Sequence, residues 1–292
     1  MNKWKVKRVF SRGCVYVCAL IVLLWTMLPL LWMFISSITP TVDLLVTEGN
    51  WISGNVNFNR YRAIFYVREH GGGSLTSAGA VFVNSLQLSI FVSVITVTCA
   101  IIMGGLAAYA FARFDMRFRN LLLMGTMFFQ LVPAITLVIP LYIIAAIIGA
   151  IDRPAFLIVL YLSFVLPYVI WVMNGYYRTL PRELEAAARI DGCTWFQAYR
   201  LIVLPLAKPG LVAVGALSFL MCWDEFIYAL IFMTSLGNKT MPVAIAEFGT
   251  RFGIDYGMVM TAGVIATIFP MLLTLIFQRH IVSGLTSGGV KG

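Results

Sequence analysis

The stretch LPRELEAAARIDGCTWFQAYRLIVLP, residues 180–205, decides how the rest of the chain is read. It is the most polar segment of its region and lies between two long apolar runs. Pro181 suits a first helical position, and Glu183 and Glu185 sit near the positive end of the helix that follows. Glu185 and Arg189 are spaced as an i,i+4 pair, and Gly192 provides a left-handed stop. Thr194 and Gln197 then form a capping box for a second helix, which Pro205 is expected to limit. The spacing predicts two short helices joined at a glycine and projecting from a membrane. Three consecutive alanines, Ala186, Ala187 and Ala188, permit close backbone approach, and Trp195, Phe196 and Tyr199 are read as exposed aromatic anchors for a partner's pocket.

Outward from this loop the chain is apolar. Hydrophobic residues make up 61% of it and charged residues 11%, against roughly 45–50% and about 25% in soluble domains. A bilayer crossing needs about 20 mostly apolar residues. Six spans are expected, at roughly Cys14–Ile38, Ala80–Phe111, Leu121–Ala150, Ala155–Tyr177, Gly210–Met233 and Gly257–Phe277. The first follows Lys3, Lys5, Lys7, Arg8 and Arg12, but its apolar run is too long for a signal-peptide core, so an uncleaved anchor is expected. The fold class is therefore all-α integral membrane.

The net charge of +9 invites a nucleic-acid reading, yet the basic residues lie between the apolar runs, where they set topology. Fifteen of the 21 fall on the side of the termini and of the loop 178–209, and six on the other. The positive-inside rule makes the richer side cytoplasmic. The expected organisation is a cytoplasmic N-terminus and first span over 1–38, and an external loop over 39–79 with a short helix near Arg60–Arg68. A core of five spans over 80–280 and a cytoplasmic tail over 281–292 complete it. Cys14, Cys18, Cys99, Cys193 and Cys222 show neither a disulfide framework nor metal spacing and read as inert.

Two features point into the membrane. Pro133 and Pro140 fall in one span, as a kink or as part of a substrate path. Asp224 and Glu225 fall near the middle of another, where each charge costs about 2.5–3.5 kcal/mol on insertion scales. Such acids mark a transport path or lock helix packing. On a continuous helix they would point about 100° apart, one toward a cavity with Trp223 or Tyr228 and the other toward a neighbouring span.

At the loop, the chain resembles the inner-membrane permease subunits of binding-protein-dependent ABC importers. Their signature, Glu-Ala-Ala, three residues, Gly, nine residues, Ile, one residue, Leu-Pro, falls on Ala187, Ala188, Gly192, Ile202, Leu204 and Pro205. Ala186 stands where the signature has glutamate, which is one position earlier here, at Glu185. Further motifs are similar to the carbohydrate-uptake branch, the maltose-transporter-like permeases. These are Asn84-Ser85-Leu86, Ala107-Ala108-Tyr109-Ala110, Ile139-Pro140-Leu141-Tyr142, Trp223-Asp224-Glu225-Phe226 and the ending Gly284–Gly292. That branch more often has Asn at the position of Asp224.

The resemblance implies a type I importer fold and a non-catalytic subunit that forms half of a sugar path. It implies a second related permease, two ATPase subunits carrying ATP and Mg, an external sugar-binding protein, and no cofactor on this chain. The implied site is a coupling loop with Glu185, Ala186, Ala187, Ala188, Asp191, Gly192, Trp195, Phe196, Ile202, Leu204 and Pro205. The candidate path comprises Asn84, Gln87, Gln130, Tyr142, Trp223, Asp224, Glu225 and Tyr228, and Gly288, Gly289 and Lys291 are expected to contact the ATPase. Gly284 and Gly289 have phosphate-loop spacing, but Val290 follows where lysine is required. The other readings are a secondary transporter or channel half, or an importer of a solute such as a glycerol phosphate. A membrane-embedded enzyme is weaker: the two histidines, His70 and His280, fall on opposite sides in this topology.

Overall fold

A computed structural model describes residues 3–45, 56–66, 78–251 and 256–287. The described residues are helical, in the order α1 Lys3–Ile38, α2 Thr41–Leu45, α3 Asn59–Tyr66, α4 Ala78–Arg113, α5 Arg119–Gln130 and α6 Ala134–Ile147. Then follow α7 Pro154–Thr179, α8 Arg182–Ile190, α9 Trp195–Ala198, a π turn Tyr199–Val203 and α10 Leu204–Trp223. The chain continues with α11 Ile227–Phe232, a 3-10 turn Leu236–Asn238, α12 Met241–Arg251 and α13 Tyr256–Ser287. Among the described residues, five helical stretches are long and apolar enough to cross a membrane: Gly13–Ile38, Gly79–Arg113, Pro154–Thr179, Trp195–Trp223 and Tyr256–His280.

The chain forms two compact units, residues 1–71 with 245–267 and residues 72–244 with 268–292. In the first, α1 exposes apolar side chains such as Val15, Leu24 and Trp25, as a helix solvated by lipid does. The end of α1 is tied down by α3. Arg60 donates to the Ser37 and Thr39 carbonyls, and the Tyr61 and Ser37 hydroxyls bond at 2.7 Å. The short helix expected near Arg60–Arg68 is thus present as α3.

In the second unit, α7 is central. Every fourth residue from Leu157 through Tyr161, Val165, Val169 and Met173 to Tyr177 is buried, which gives α7 a continuous packed face. Small residues let its neighbours come close. A Cβ on Gly104 of α4 would lie 2.9 Å from the Val169 side chain, and one on Gly210 of α10 would lie 2.8 Å from the Tyr176 ring. Close backbone approach of this kind is how helices pack where lipid removes the hydrophobic drive.

Two expected spans are not continuous. The run Leu121–Ala150 is split into α5 and α6 at Leu131-Val132-Pro133. Pro133 has no N–H to donate and its ring keeps Val132 out of the α conformation, so the helix ends before it. The run Gly210–Met233 is split into α10 and α11 at Asp224-Glu225-Phe226. The two acids therefore do not sit in a helix interior, and the 100° argument does not apply to them.

Pro205 also behaves differently from its expected role. It does not end the second helix of the loop, because the chain stays helical from Trp195 to Trp223. Pro205 sits in the first turn after the π turn, where the wider i→i+5 backbone ring makes room for proline.

Candidate functional site: a clamped knob and a cleft at two helix breaks

The loop 180–205 folds into a knob whose local structure follows from its capping residues. Gly192 adopts φ +92°, and the Cys193 N–H returns to the Ala188 carbonyl, closing α8. The Thr194 hydroxyl accepts from the Gln197 N–H while the Gln197 side chain accepts from the Thr194 N–H, the reciprocal box that starts α9.

The inside of the knob is held by Glu185. It is 4% exposed, accepts from Arg113 Nε at 2.6 Å and from the Tyr109 hydroxyl at 2.9 Å. Arg113 also donates to the Leu180 carbonyl, and Arg182 donates to the Ala112 carbonyl. The expected Glu185–Arg189 pair does not form. A cation on α4 takes the carboxylate, and Arg189 instead stacks on the Trp195 ring at 4.0 Å. Tyr199 is not an exposed anchor either: it is buried against Tyr109, with its hydroxyl 3.3 Å from that of Tyr177.

The outside of the knob carries large apolar side chains among its charged ones. Ile190 is 87% exposed and Phe196 62%, with Leu184 and Trp195 also uncovered. Ala186, Ala187, Asp191 and Gly192 are exposed beside them, whereas Ala188 is buried and Ile202 and Leu204 are half-buried. Pro205 is exposed.

The two helix breaks meet at a cleft of about 760 Å³ lined by Gln130, Pro133, Ser163, Phe164, Glu225 and Tyr228, among others. Glu225 accepts from the Tyr228 and Ala229 N–H groups at 2.8 and 3.1 Å, satisfying the free donors at the start of α11. Gln130 donates to the Phe164 carbonyl at 2.9 Å. Pro167 has no N–H to give the Ser163 carbonyl four residues back, so a third irregularity opens onto the same cleft. The Tyr228 ring stacks near that of Phe164.

Of the expected path residues, Gln130, Glu225 and Tyr228 come together here. Trp223 does not join them: it is buried between the Phe219 and Phe269 rings, at 5.7 and 5.3 Å. Asp224 is exposed, Tyr142 packs on Phe232, and Asn84 and Gln87 lie on α4 outside the cleft lining. Sequence reasoning missed Ser163 and Phe164, although Pro167 four residues beyond Ser163 was a usable signal. It also missed Tyr109 and Arg113 as partners of the loop. The expected tail residues Gly288, Gly289 and Lys291 lie outside the described residues.

Residues 100–287 match the family described as binding-protein-dependent transport system inner membrane component. The chain belongs to this family. It is 37% identical to the trehalose transport system permease protein SugB of Mycobacterium tuberculosis, over 92% of this chain and 93% of that protein. It is 29% identical to the diacetylchitobiose uptake system permease protein DasC of Streptomyces coelicolor, over 98% and 99%. In fold it is similar to a chain of a bacterial ABC transporter that imports the acidic polysaccharide alginate. That match has a TM-score of 0.75 at 18% identity and covers 96% of this chain and 98% of the other. The alginate transporter in complex with an alginate pentasaccharide-bound periplasmic protein also matches, with a TM-score of 0.63 at 14% identity over 94% and 95%. The chain is accordingly a multi-pass membrane permease of the ABC importer class.

Proposed function

We propose that this chain is one of two related membrane subunits of an ATP-driven sugar importer, and that it contributes half of the translocation path. The observation that carries the reading is the knob. Its inner face is fixed by the Glu185–Arg113–Tyr109 cluster, while Ile190, Phe196 and Trp195 stand uncovered on its outer face. Rigid, exposed apolar anchors of this kind suit a pocket on a soluble partner. That partner is a pair of ATPase subunits binding ATP and Mg, so this chain carries no cofactor and no catalytic step.

The cleft at the helix breaks serves as this chain's share of the path. Discontinuous spans around a midplane site are a recurrent transporter device, because unwound backbone is tolerated where it lines a cavity. An amide, hydroxyls, a carboxylate and aromatic rings suit a neutral polyhydroxylated solute. None of the described lining residues is basic, which disfavours a glycerol phosphate. The trehalose and diacetylchitobiose relatives support a sugar. A secondary transporter or channel half is not favoured by the family or by the knob.

In this reading both termini and the knob face the cytoplasm, residues 39–79 face outside, and an external sugar-binding protein delivers the solute. The tail Gly284–Gly292 contacts the ATPase pair. The test is purification of the tagged chain with its neighbours and reconstitution in vesicles. A bound ATPase, and ATP-dependent uptake of a disaccharide stimulated by the binding protein, are expected. Uptake that persists without ATP would overturn the reading, as would labelling of an introduced cysteine near Gln197 from outside intact cells.

A further inference from the structure

A second groove in the same unit shares Gln130 with the cleft at the helix breaks and is otherwise lined by residues that the function proposed above does not use. It runs between α5 and α7, has a volume of about 670 Å³, and is walled mostly by apolar side chains, with Asn120 and Arg178 toward one end and Gln130 at the other. Asn120, Met124, Met127 and Phe128 lie along one face of α5, at the spacing of successive helical turns. Trp171, Asn174 and Arg178 do the same on α7. Met124, Phe128 and Trp171 are exposed; Trp171 belongs to a span long and apolar enough for the bilayer, and Met124 and Phe128 lie on the short α5 packed against it. Their natural surroundings are hydrocarbon.

The end at Asn120 and Arg178 has an excess of positive charge. Arg119, next to Asn120, feels the charges of Arg178 and Arg182, with the Asp115 carboxylate the acid beside them. The Arg119 Nε is buried and has no hydrogen-bond partner. Farther in, Asn174 is 7% exposed, and its amide oxygen also has no partner. Buried polar atoms without partners are uncommon and call for an explanation. Asn174 lines the groove, Arg119 directly precedes its lining residue Asn120, and Arg178 is the basic residue among the described lining.

We propose that the groove between α5 and α7 holds an anionic phospholipid. Its phosphodiester lies at the Arg178 guanidinium, with Arg119 next to it, its glycerol–ester region beside the Asn174 amide, and one acyl chain along Met124, Met127 and Phe128. The occupant must be both anionic and apolar, which a free phosphate is not. Basic pockets between membrane helices on the cytoplasmic side recognise anionic headgroups, each basic group adding about 1 kcal/mol near the surface. Arginine, whose planar fork matches two phosphate oxygens, is the residue suited to this contact. The groove lies in the leaflet on the basic side of the membrane, the cytoplasmic one in the orientation proposed above. The proposal is independent of which solute is transported.

The test uses the assembled transporter, extracted in mild detergent and exchanged into vesicles of phosphatidylglycerol with phosphatidylcholine. Native mass spectrometry then counts the retained lipids. Wild type is expected to keep phosphatidylglycerol in preference to phosphatidylcholine. Arg178→Gln should lower that retention about fivefold, the factor expected for one basic group. Met127→Trp fills the apolar channel without changing any charge, so it carries the test even if Arg178→Gln impairs assembly. It should displace the lipid from complexes that elute normally. Equal phosphatidylglycerol retention in wild type and Met127→Trp would overturn the proposal. So would a photo-crosslinker at Met124 that labels the second permease chain in place of lipid.

Discussion

Glu185 and Glu225 are both withdrawn from water, yet they are held in opposite ways. Glu185 meets a guanidinium and a phenol, so its charge is cancelled by a partner that α4 brings from far along the chain. Glu225 meets backbone N–H groups of its own helix, with the Tyr161 hydroxyl nearby, and none of the described residues lining the cleft it borders is basic. A carboxylate closed off by a cation is committed to holding structure together. A carboxylate held by the start of a helix, with a phenol and no cation beside it, is not neutralised and stays open to whatever enters the cleft. The same side chain is closed off inside the knob and left open at the cleft.

The contrast is broken most directly at Arg113. Arg113→Met leaves Glu185 buried without its cation, which should cost roughly 3–5 kcal/mol. The melting temperature of the complex should drop, and ATPase should be lost on purification. Replacing Glu185 with Met as well should recover much of that loss. If the single variant is as stable as wild type, Glu185 is not a clamp.

Gly192→Val comes next. A Cβ there would meet nothing, so the whole cost is the left-handed backbone, about 1–3 kcal/mol confined to the knob. The spans should insert normally while ATPase copurification falls. Normal transport with bound ATPase would remove the knob from its role.

Glu225→Leu should lower uptake by about tenfold, equivalent to about 1.4 kcal/mol, and should leave more complex than transport. Loss of complex in equal measure would place Glu225 with Glu185, as a packing residue. Asp224→Asn should be smallest, within about 0.5 kcal/mol, because the side chain is exposed beside the break. A large fall in uptake with Asp224→Asn would shift recognition from Glu225 to its neighbour.

How far the sequence reached depended on the range of the interaction involved. Capping residues act within a few positions, so Gly192, Thr194 and Gln197 announced the knob correctly. Apolar length announced the spans. The i,i+4 rule failed at Glu185 because a partner 72 positions away outcompeted Arg189, and local spacing carries no trace of such a rival. Pro133 was noticed, but proline alone does not separate a kink from a full break, as Pro140 inside continuous α6 demonstrates. The meeting of the two breaks at one cleft is a property of packing between α5, α7 and α10, which no single stretch of sequence encodes.

One consequence of the uninterrupted helix from Trp195 to Trp223 is mechanical. Its 29 residues form a stiff beam about 43 Å long, at about 1.5 Å per residue. Trp195 and Phe196 sit at one end and the acid-bearing break at the other. A rotation of about 5° at Trp195 that the π turn Tyr199–Val203 and Pro209 do not take up reappears as a sweep of about 4 Å at Asp224. That sweep is on the scale of a sugar hydroxyl's change of partner.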